Sequence, residues 1–564
     1  MTALLTDNLP LLAGAPNGIK KLRELILELA VRGKLVPQDP NDEPASELLN
    51  RIAEEKTRLV SEGKVRKQKP LAESGEEAEP FELPAGWKWS SLAQVAFVNP
   101  RNAAADSLEV SFVPMTFIGT GFDAQHEQEP RLWGEVKQGF THFAEGDIGV
   151  AKITPCFENS KACVFSNLLN GLGAGTTELH IVRPVSGTLD PRYVLAYLKS
   201  PQFLLVGETK MTGTAGQKRL PKDFVEANPF PLPPLAEQHR IVAKVDELMA
   251  LCDRLEARHA NADSAHAQLA QALLDSLTQA RDAEDFVQSW QRLAEHFHTL
   301  FSTESSIDAL KQALLQLAVM GKLVAQDPSD EPASELLSRI AEEKARLISE
   351  EGLRTTARED VPEAEHYFML HAGWGACRLG NLARFIDYRG RTPTKTSSGI
   401  PLITAKNVRP GFISREPQEF IADTDYLSWM TRGFPRVGDM LFTTEAPMGN
   451  VAIIDIADRF ALAQRVICFQ LHELGTGPFL KLAMMSSGFQ AQLSDAATGM
   501  TATGIKSSRL KEIPVPIPPL AEQHRIVAKV DQLMALCDQL KARLNQARQV
   551  HEQLANALVE QAVA

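Results

Sequence analysis

The chain contains two segments that each occur twice. IKKLRELILELAVRGKLVPQDPNDEPASELLNRIAEEK begins at Ile19 and returns at Ile307 as IDALKQALLQLAVMGKLVAQDPSDEPASELLSRIAEEK. PLPPLAEQHRIVAKVDELMALCDRLEAR begins at Pro231 and returns at Pro516 as PIPPLAEQHRIVAKVDQLMALCDQLKAR. Gly33 and its repeat Gly321 are 288 residues apart, and Pro234 and Pro519 are 285 apart. The stretches between them, residues 84–230 and 372–515, are therefore nearly equal in length, yet they share almost no residue identity. An internal repeat decides architecture before any local pattern does. Two near-identical frames hold two unlike inserts.

At ~150 residues per domain, 564 residues allow about four domains. The repeat divides them as an N-terminal frame element (1–83), a first insert (84–230), a central frame (231–371), a second insert (372–515) and a C-terminal frame helix (516–564). No run of 18 or more apolar residues is present, so no transmembrane helix is expected. The start, MTALLTDNLPLLAGAPNG, lacks the basic opening and long apolar centre of a signal peptide. A cytoplasmic location without membrane contact is the expectation. Six cysteines fall in no CxxC pair, and Cys252 and Cys537 occupy equivalent repeat positions in an apolar helical stripe. They read as small buried hydrophobes.

A net charge of −12 argues on its face against nucleic acid. The acids concentrate in the frames (DPNDEPASE, ESGEEAEPFE, REDVPEAE), however, and the second insert is rich in arginine. Total charge does not exclude DNA.

The frames read as helical. Ile241, Val245, Leu248, Cys252 and Leu255 step by 4, 3, 4, 3; the copy repeats this from Ile526 through Val530, Leu533, Cys537 and Leu540, then continues to Leu544, Ala547, His551, Leu554 and Leu558. That spacing predicts the a/d seam of a long coiled coil. Pro233-Pro234 and Pro518-Pro519 mark its starts. The other frame element predicts a shorter amphipathic helix (Leu22, Leu25, Ile26, Leu29; Leu310, Leu314, Leu315, Leu317) closed at Gly33 or Gly321 by a left-handed cap. A second helix follows, with Ser46 or Ser334 as expected N-cap.

The order of elements leaves the central frame copy continuous and splits the outer copy between the chain ends. If residues 520–562 pack antiparallel on 235–277, the chain closes on itself about a pseudo-twofold axis, like a homodimer within one polypeptide. Both inserts show short β-branched runs broken by Gly, Pro and Asp, which predict strands. Three landmarks recur in them: an early Trp, Gly146-Asp147 against Gly438-Asp439, and a Gly/Thr/Lys segment before the proline-rich exit.

GKLVPQDPNDEPASELL, PLPPLAEQHRIVAKVDELM, the Gly-Asp landmarks and FIDYRGRTPTKTSSGIPLITAKNV at Phe385–Val408 together resemble the DNA specificity subunit of type I restriction-modification systems, over essentially the whole chain. The resemblance implies an α+β fold: two β-rich target recognition domains separated by a long antiparallel two-helix coiled coil, pseudo-twofold symmetric. It implies recognition of an asymmetric bipartite site in double-stranded DNA, one half per domain, by a single copy of this chain. Two methyltransferase subunits, using S-adenosylmethionine, would dock on it, joined by restriction subunits that use ATP and Mg. The chain itself would be non-catalytic, with no cofactor or metal. Two alternatives stay open: a scaffold in a related modification or phage-defence system lacking a restriction subunit, and a purely structural scaffold whose inserts bind proteins. About 43 helical residues at 1.5 Å give an arm of roughly 65 Å, against about 34 Å per DNA turn, so the arm can serve as a ruler for an unread spacer.

Reading bases needs Arg, Asn, Gln or Thr on loops, and holding phosphates needs Lys, Arg and hydroxyls. In the first insert the candidates are Thr212, Gly213, Thr214, Gly216, Gln217, Lys218 and Arg219, with Lys152, Thr154 and Lys161 secondary. In the second they are Arg389, Arg391, Thr392, Thr394 and Lys395, then Lys406, Asn407 and Arg409, then Thr501, Thr503, Lys506, Ser507 and Arg509. Phe117–Gly121 matches the FxGxG pattern that holds S-adenosylmethionine, and Asn228-Pro229-Phe230 matches part of an adenine methyltransferase motif. The insert lacks the strand and helix units of a doubly wound sheet, and Pro514-Val515 in the second copy carries no Asn. That pair therefore reads as a decoy. His239 and His524 read as helix-face residues.

Overall fold

The computed structural model describes residues 11–63, 79–122, 125–214, 216–281, 283–351, 361–366, 368–388, 392–498 and 503–563. It is a mixed helix and strand protein of two compact units, residues 1–262 with 547–564 and residues 263–546.

In the first unit, α1 (Gly18–Val31) buries Leu22, Leu25, Ile26 and Leu29, the stripe expected from their spacing. Burying each such side chain contributes ~1.5–3 kcal/mol. Gly33, at φ 66°, closes the helix. Its N–H goes to Ala30 O and that of Lys34 to Leu29 O, the pair of bonds that defines a Schellman cap. α2 (Ala45–Ser61) starts two residues earlier than expected, with Pro44 and not Ser46 at the N-cap. Ser46 caps nothing; the Ala45 N–H is taken instead by the carbonyl of Gly86 at 2.8 Å, and Ala333 repeats this with Gly373 at 2.8 Å. A backbone acceptor from the loop entering the insert thus replaces the side-chain cap that the local pattern suggested.

α3 (Leu235–Thr278) is 44 residues long. Among the helices that follow it, the long ones of the frame are α4 (Ala283–Glu295), α5 (Glu304–Val319), α6 (Ala333–Glu351) and the 44-residue α7 (Leu520–Val563). In the first unit Ile241, Val245, Met249 and Cys252 of α3 and Ala555 and Ala562 of α7 share one core with α1. In the second unit Ala270, Leu274 and Leu277 of α3 and Cys537 of α7 share a core with Ile307, Leu310 and Leu314 of α5. The expected unbroken heptad seam is corrected here. Leu248 and Leu255 are only half-buried, Ala547 is exposed and Leu554 is 50% exposed, while Ala555 and Ala562 are buried. Each half of a long helix serves a different core, so its buried face changes register along its length. α4 buries Leu293 in the same core as α5.

Polar contacts tie the frame motifs together. Glu237, 1% exposed, accepts from Trp87 Nε1 at 2.9 Å and Gln38 Nε2 at 3.1 Å. Glu522 accepts from Trp374 Nε1 at 3.0 Å and Gln326 Nε2 at 3.1 Å. Arg240–Asp42 and Arg525–Asp330 complete the set at 2.6 Å each. The early Trp landmark is therefore a fastening between frame and insert.

The inserts share one plan. In the first, strands β1 (Lys88–Ser91) and β6 (Pro229–Leu232) pair antiparallel at its root. Between them, β2 (Ala96–Val98), β3 (Ile148–Ala151), β4 (Ala162–Val164) and β5 (Leu179–Pro184) form an antiparallel sheet in the order β2-β5-β3-β4. In the second, β7 (Gly375–Arg378) pairs with β12 (Pro514–Ile517), and β8 (Ala383–Asp387), β9 (Met440–Thr443), β10 (Val451–Ile453) and β11 (Val466–Leu471) form β8-β11-β9-β10. The Gly-Asp landmark precedes the third-placed strand in each. Gly146 and Gly438 turn the chain at φ 80° and 90°. Asp147 is clasped by Arg183 (Nη2 to Oδ2 2.7 Å, Nε to Oδ1 2.8 Å) and Asp439 by Arg436 (Nη2 to Oδ1 3.0 Å). These landmarks are fold determinants.

Candidate nucleic-acid interface

The segment before the first insert's exit folds as a hairpin. Thr212 and Arg219 exchange backbone bonds at 3.0 and 2.8 Å, and Gln217 N closes the tip on Thr214 O at 3.0 Å. Every described residue from Thr212 to Arg219 is exposed, while Met211 and Leu220 at its base are buried. The hairpin is pinned to the loop after β3: Thr154 N donates to Lys218 O (3.0 Å), Lys218 N to Thr154 Oγ1 (3.1 Å), and Leu220 N to Lys152 O (2.7 Å). Thus Lys152 and Thr154 join the main candidates. Lys161 is half-buried and gives its Nζ to Met115 O at 3.1 Å, which makes it an internal brace.

At the hairpin base His180 Nε2 meets Leu220 O at 2.9 Å and Nδ1 meets Asn99 Nδ2 at 3.2 Å. These partners require a neutral ring that donates from Nε2 and accepts at Nδ1. Burial pushes its pKa below the ordinary value. Arg219 donates to Glu178 through Nε (3.0 Å to Oε2) and Nη2 (2.9 Å to Oε1), and this guanidinium holds the carboxyl of Glu178 below the usual range.

The second insert repeats the device. Thr498 and Gly504 exchange backbone bonds at 2.9 and 3.1 Å, and Ile505 N donates to Thr444 O at 3.1 Å, as Leu220 does to Lys152. Thr503 beside the stem is exposed, as are Lys506 and Arg509, which flank and end the short helix Ser507–Leu510; Ser507 is half-buried. Thr392, Thr394 and Lys395 are exposed, and Lys395 pairs with Glu419 at 2.7 Å. Lys406 and Arg409 are exposed. Asn407 between them is 2% exposed: its Oδ1 accepts from Thr404 N and Oγ1, and its Nδ2 donates to Ser414 O and Pro417 O. It shapes the loop that presents its neighbours and offers no free edge for reading a base. Asn450 Nδ2 donates to Val408 O at 2.9 Å, tying that loop to the turn after β9. Arg389, Arg391 and Thr501 lie outside the described residues.

Sequence reasoning passed over Glu178, Glu445, Arg465 and His180. An ungapped alignment on the Gly-Asp landmarks, which are 292 residues apart, does not expose them, because TTEL at 176–179 and AQRV at 463–466 are 287 apart and the second insert is five residues shorter between landmark and strand.

The methyltransferase-like pair has other employment. Lys199, 4% exposed, donates to the carbonyls of Thr120 (3.2 Å) and Gly121 (2.7 Å), and Asn228 Nδ2 donates to the Tyr197 hydroxyl at 2.6 Å. Among the described residues no group of three His, Cys, Asp or Glu could hold a metal ion, and no helix is long and apolar enough to cross a membrane.

Residues 373–548 match the family model described as the type I restriction modification DNA specificity domain. The chain is 47% identical over 554 residues to the EcoAI type I restriction enzyme specificity subunit of Escherichia coli, covering 97% of this chain and 94% of that one. It is 45% identical over 559 residues to the EcoEI counterpart from the same organism, with the same coverage. A solved structure of the HsdS subunit from Thermoanaerobacter tengcongensis aligns over 86% of this chain and 98% of its own, at 20% identity and a TM-score of 0.42. Duplicated frame contacts around two inserts of one plan place the chain in a class of two-insert proteins, and the relatives give that class its family. The protein belongs to the specificity subunits of type I restriction-modification systems.

Proposed function

We propose that each insert reads one half of an asymmetric bipartite site in double-stranded DNA, and that the helical frame sets an unread spacer and carries the methyltransferase and restriction subunits. The observation that carries this reading is the paired construction. The Trp-Glu-Gln and Arg-Asp fastenings recur around both inserts, while the segments before the two exits hold different side chains. A frame kept alike serves like partners. Inserts that differ serve different half-sites, so the site as a whole is asymmetric.

Within this reading α3 and α7 run antiparallel as the two arms of a coil, and the five-part division of the chain corresponds to two recognition domains on one frame. A single copy acts per complex. Chemistry belongs to the partners: adenine methylation with S-adenosylmethionine on two methyltransferase subunits, and ATP- and Mg-dependent cleavage on restriction subunits. The chain works in the cytoplasm and binds no cofactor itself.

Replacing residues 372–515 with the insert of a relative tests this. The expected result is one half-site changed and the other kept, read by selection of bound duplexes in complex with the methyltransferase. Alteration of both halves would sink the two-reader model.

A further inference from the structure

Both inserts carry a guanidinium held by a glutamate beside the stem before the exit, formed by Thr212 and Arg219 in the first and by Thr498 and Gly504 in the second, but the two pairs are assembled from opposite sides. Lys152 N donates to Glu178 O and Thr444 N to Arg465 O, both at 2.9 Å, so Glu178 and Arg465 occupy equivalent backbone positions. In the first insert the carboxylate stands there and the arginine, Arg219, comes from the hairpin stem. In the second the arginine stands there and the carboxylate, Glu445, comes from the loop after β9, with Arg465 Nε 2.5 Å from Glu445 Oε1. The same arrangement is thus built twice from residues that do not correspond.

Stability does not account for it. The arginine side chains are 46% and 49% exposed, and exposed pairs contribute ~0–1 kcal/mol. What such a pair does achieve is orientation. Glu178 occupies the Nε/Nη2 edge of Arg219, which leaves the Nη1/Nη2 end of the fork pointing away from it; Nη1 rests 3.5 Å from Gln217 O. Two parallel N–H donors on a planar, pre-oriented end match O6 and N7 of guanine in the major groove.

We propose that Arg219 and Arg465 are guanine-reading residues, one in each half-site, each aimed by its glutamate. The assignment rests on the two-reader function above. Lysine cannot replace either residue, because it keeps the charge and loses the fork. Glu178 and Glu445 are positioning residues that never touch DNA.

The test uses the full chain with its methyltransferase partner and a pool of randomised duplexes, comparing wild type, Arg219→Lys, Arg465→Lys and Glu178→Gln. Arg219→Lys should cost about 10- to 100-fold in preference for one G·C pair of one half-site and leave the other half unchanged. Arg465→Lys should do the same in the other half. Glu178→Gln should weaken preference at the Arg219 position alone, with a smaller loss. An unchanged motif, or an equal loss on every duplex, overturns the assignment while leaving the two-reader model intact if the insert swap still moves one half-site. Failure of the wild-type complex to select a bipartite motif would remove both. Thermal unfolding of the lysine variants should match wild type, which separates a lost contact from a lost fold.

Discussion

The indole N–H of Trp87 donates to Oε2 of Glu237 at 2.9 Å, joining the residue before an insert's first strand to the start of a 44-residue helix 150 residues away. Glu237 is 1% exposed, and burial raises its pKa although Trp87 and Gln38 both donate to it. Trp87→Phe keeps most of the ring and removes the donor. The variant should lose ~1–3 kcal/mol in urea unfolding, the penalty of a buried acceptor left short of a partner. Trp374→Phe should show a similar loss through Glu522, and a pair of silent variants would show the fastening to be incidental.

Arg183 and Asp147 make a stronger claim. Asp147 is 1% exposed and the Arg183 side chain 22% exposed, so Arg183→Leu leaves a buried carboxylate uncompensated and should cost ~3–5 kcal/mol. Arg436→Leu should cost less, because the Arg436 side chain is 55% exposed against 22% for Arg183, so its pairing with Asp439 is the more screened by solvent. The ranking is checked by the unfolding midpoints of the two variants, and a reversed order would contradict it.

Acid should loosen the first insert. Burial holds the pKa of His180 below the ordinary 6.5, so the unfolded chain takes up its proton at a higher pH than the folded one. Stability contributed by the neutral ring is full above 6.5 and declines as pH falls through 6.5 toward the folded value. His180→Gln can still accept from Asn99 and donate to Leu220. It should retain the fold and flatten part of the pH dependence of the melting temperature, whereas an unaltered slope would place the titration elsewhere.

On the hairpin, Lys218 is exposed beside the tip and suits phosphate. Lys218→Ala should weaken binding to all duplexes about equally and reduce the slope of log affinity against log salt by about one. A loss confined to one base pair would instead make it a reader.

Length of the arms is a separate lever. One heptad added to α3 within its exposed stretch 256–265, and one to α7 within 545–550, lengthens each arm by ~10 Å. The unread spacer in the selected motif should grow by about three base pairs at 3.4 Å each. An unchanged spacer would mean that something other than the arms measures it.

Much of this was visible in the sequence, for physical reasons particular to each place. The Gly33 cap could be read because a left-handed residue after an apolar stripe has few other uses. Ser46 misled because the capping acceptor comes from Gly86, some forty residues on, and no local pattern carries that information. The heptads from Ile241 and Ile526 pointed to real apolar faces, yet Leu554 and Ala555 exchange places in burial because the second half of α7 belongs to a different core from the first. Site residues were legible as loops rich in Thr, Gly and Lys. The roles of Asn407 and Lys161 were not, since a side chain turned inward to a carbonyl has the same letter as one turned outward.

The core around α1 includes Ala555 and Ala562, and Lys34 Nζ donates to the carbonyl of Val563 at 2.8 Å while Leu11 O accepts from His551 at 2.8 Å. On the ribosome, the first unit therefore lacks one wall throughout synthesis of the second. The part of the protein made first is finished last, and a chain halted anywhere inside the second insert carries an open apolar face that marks it as incomplete.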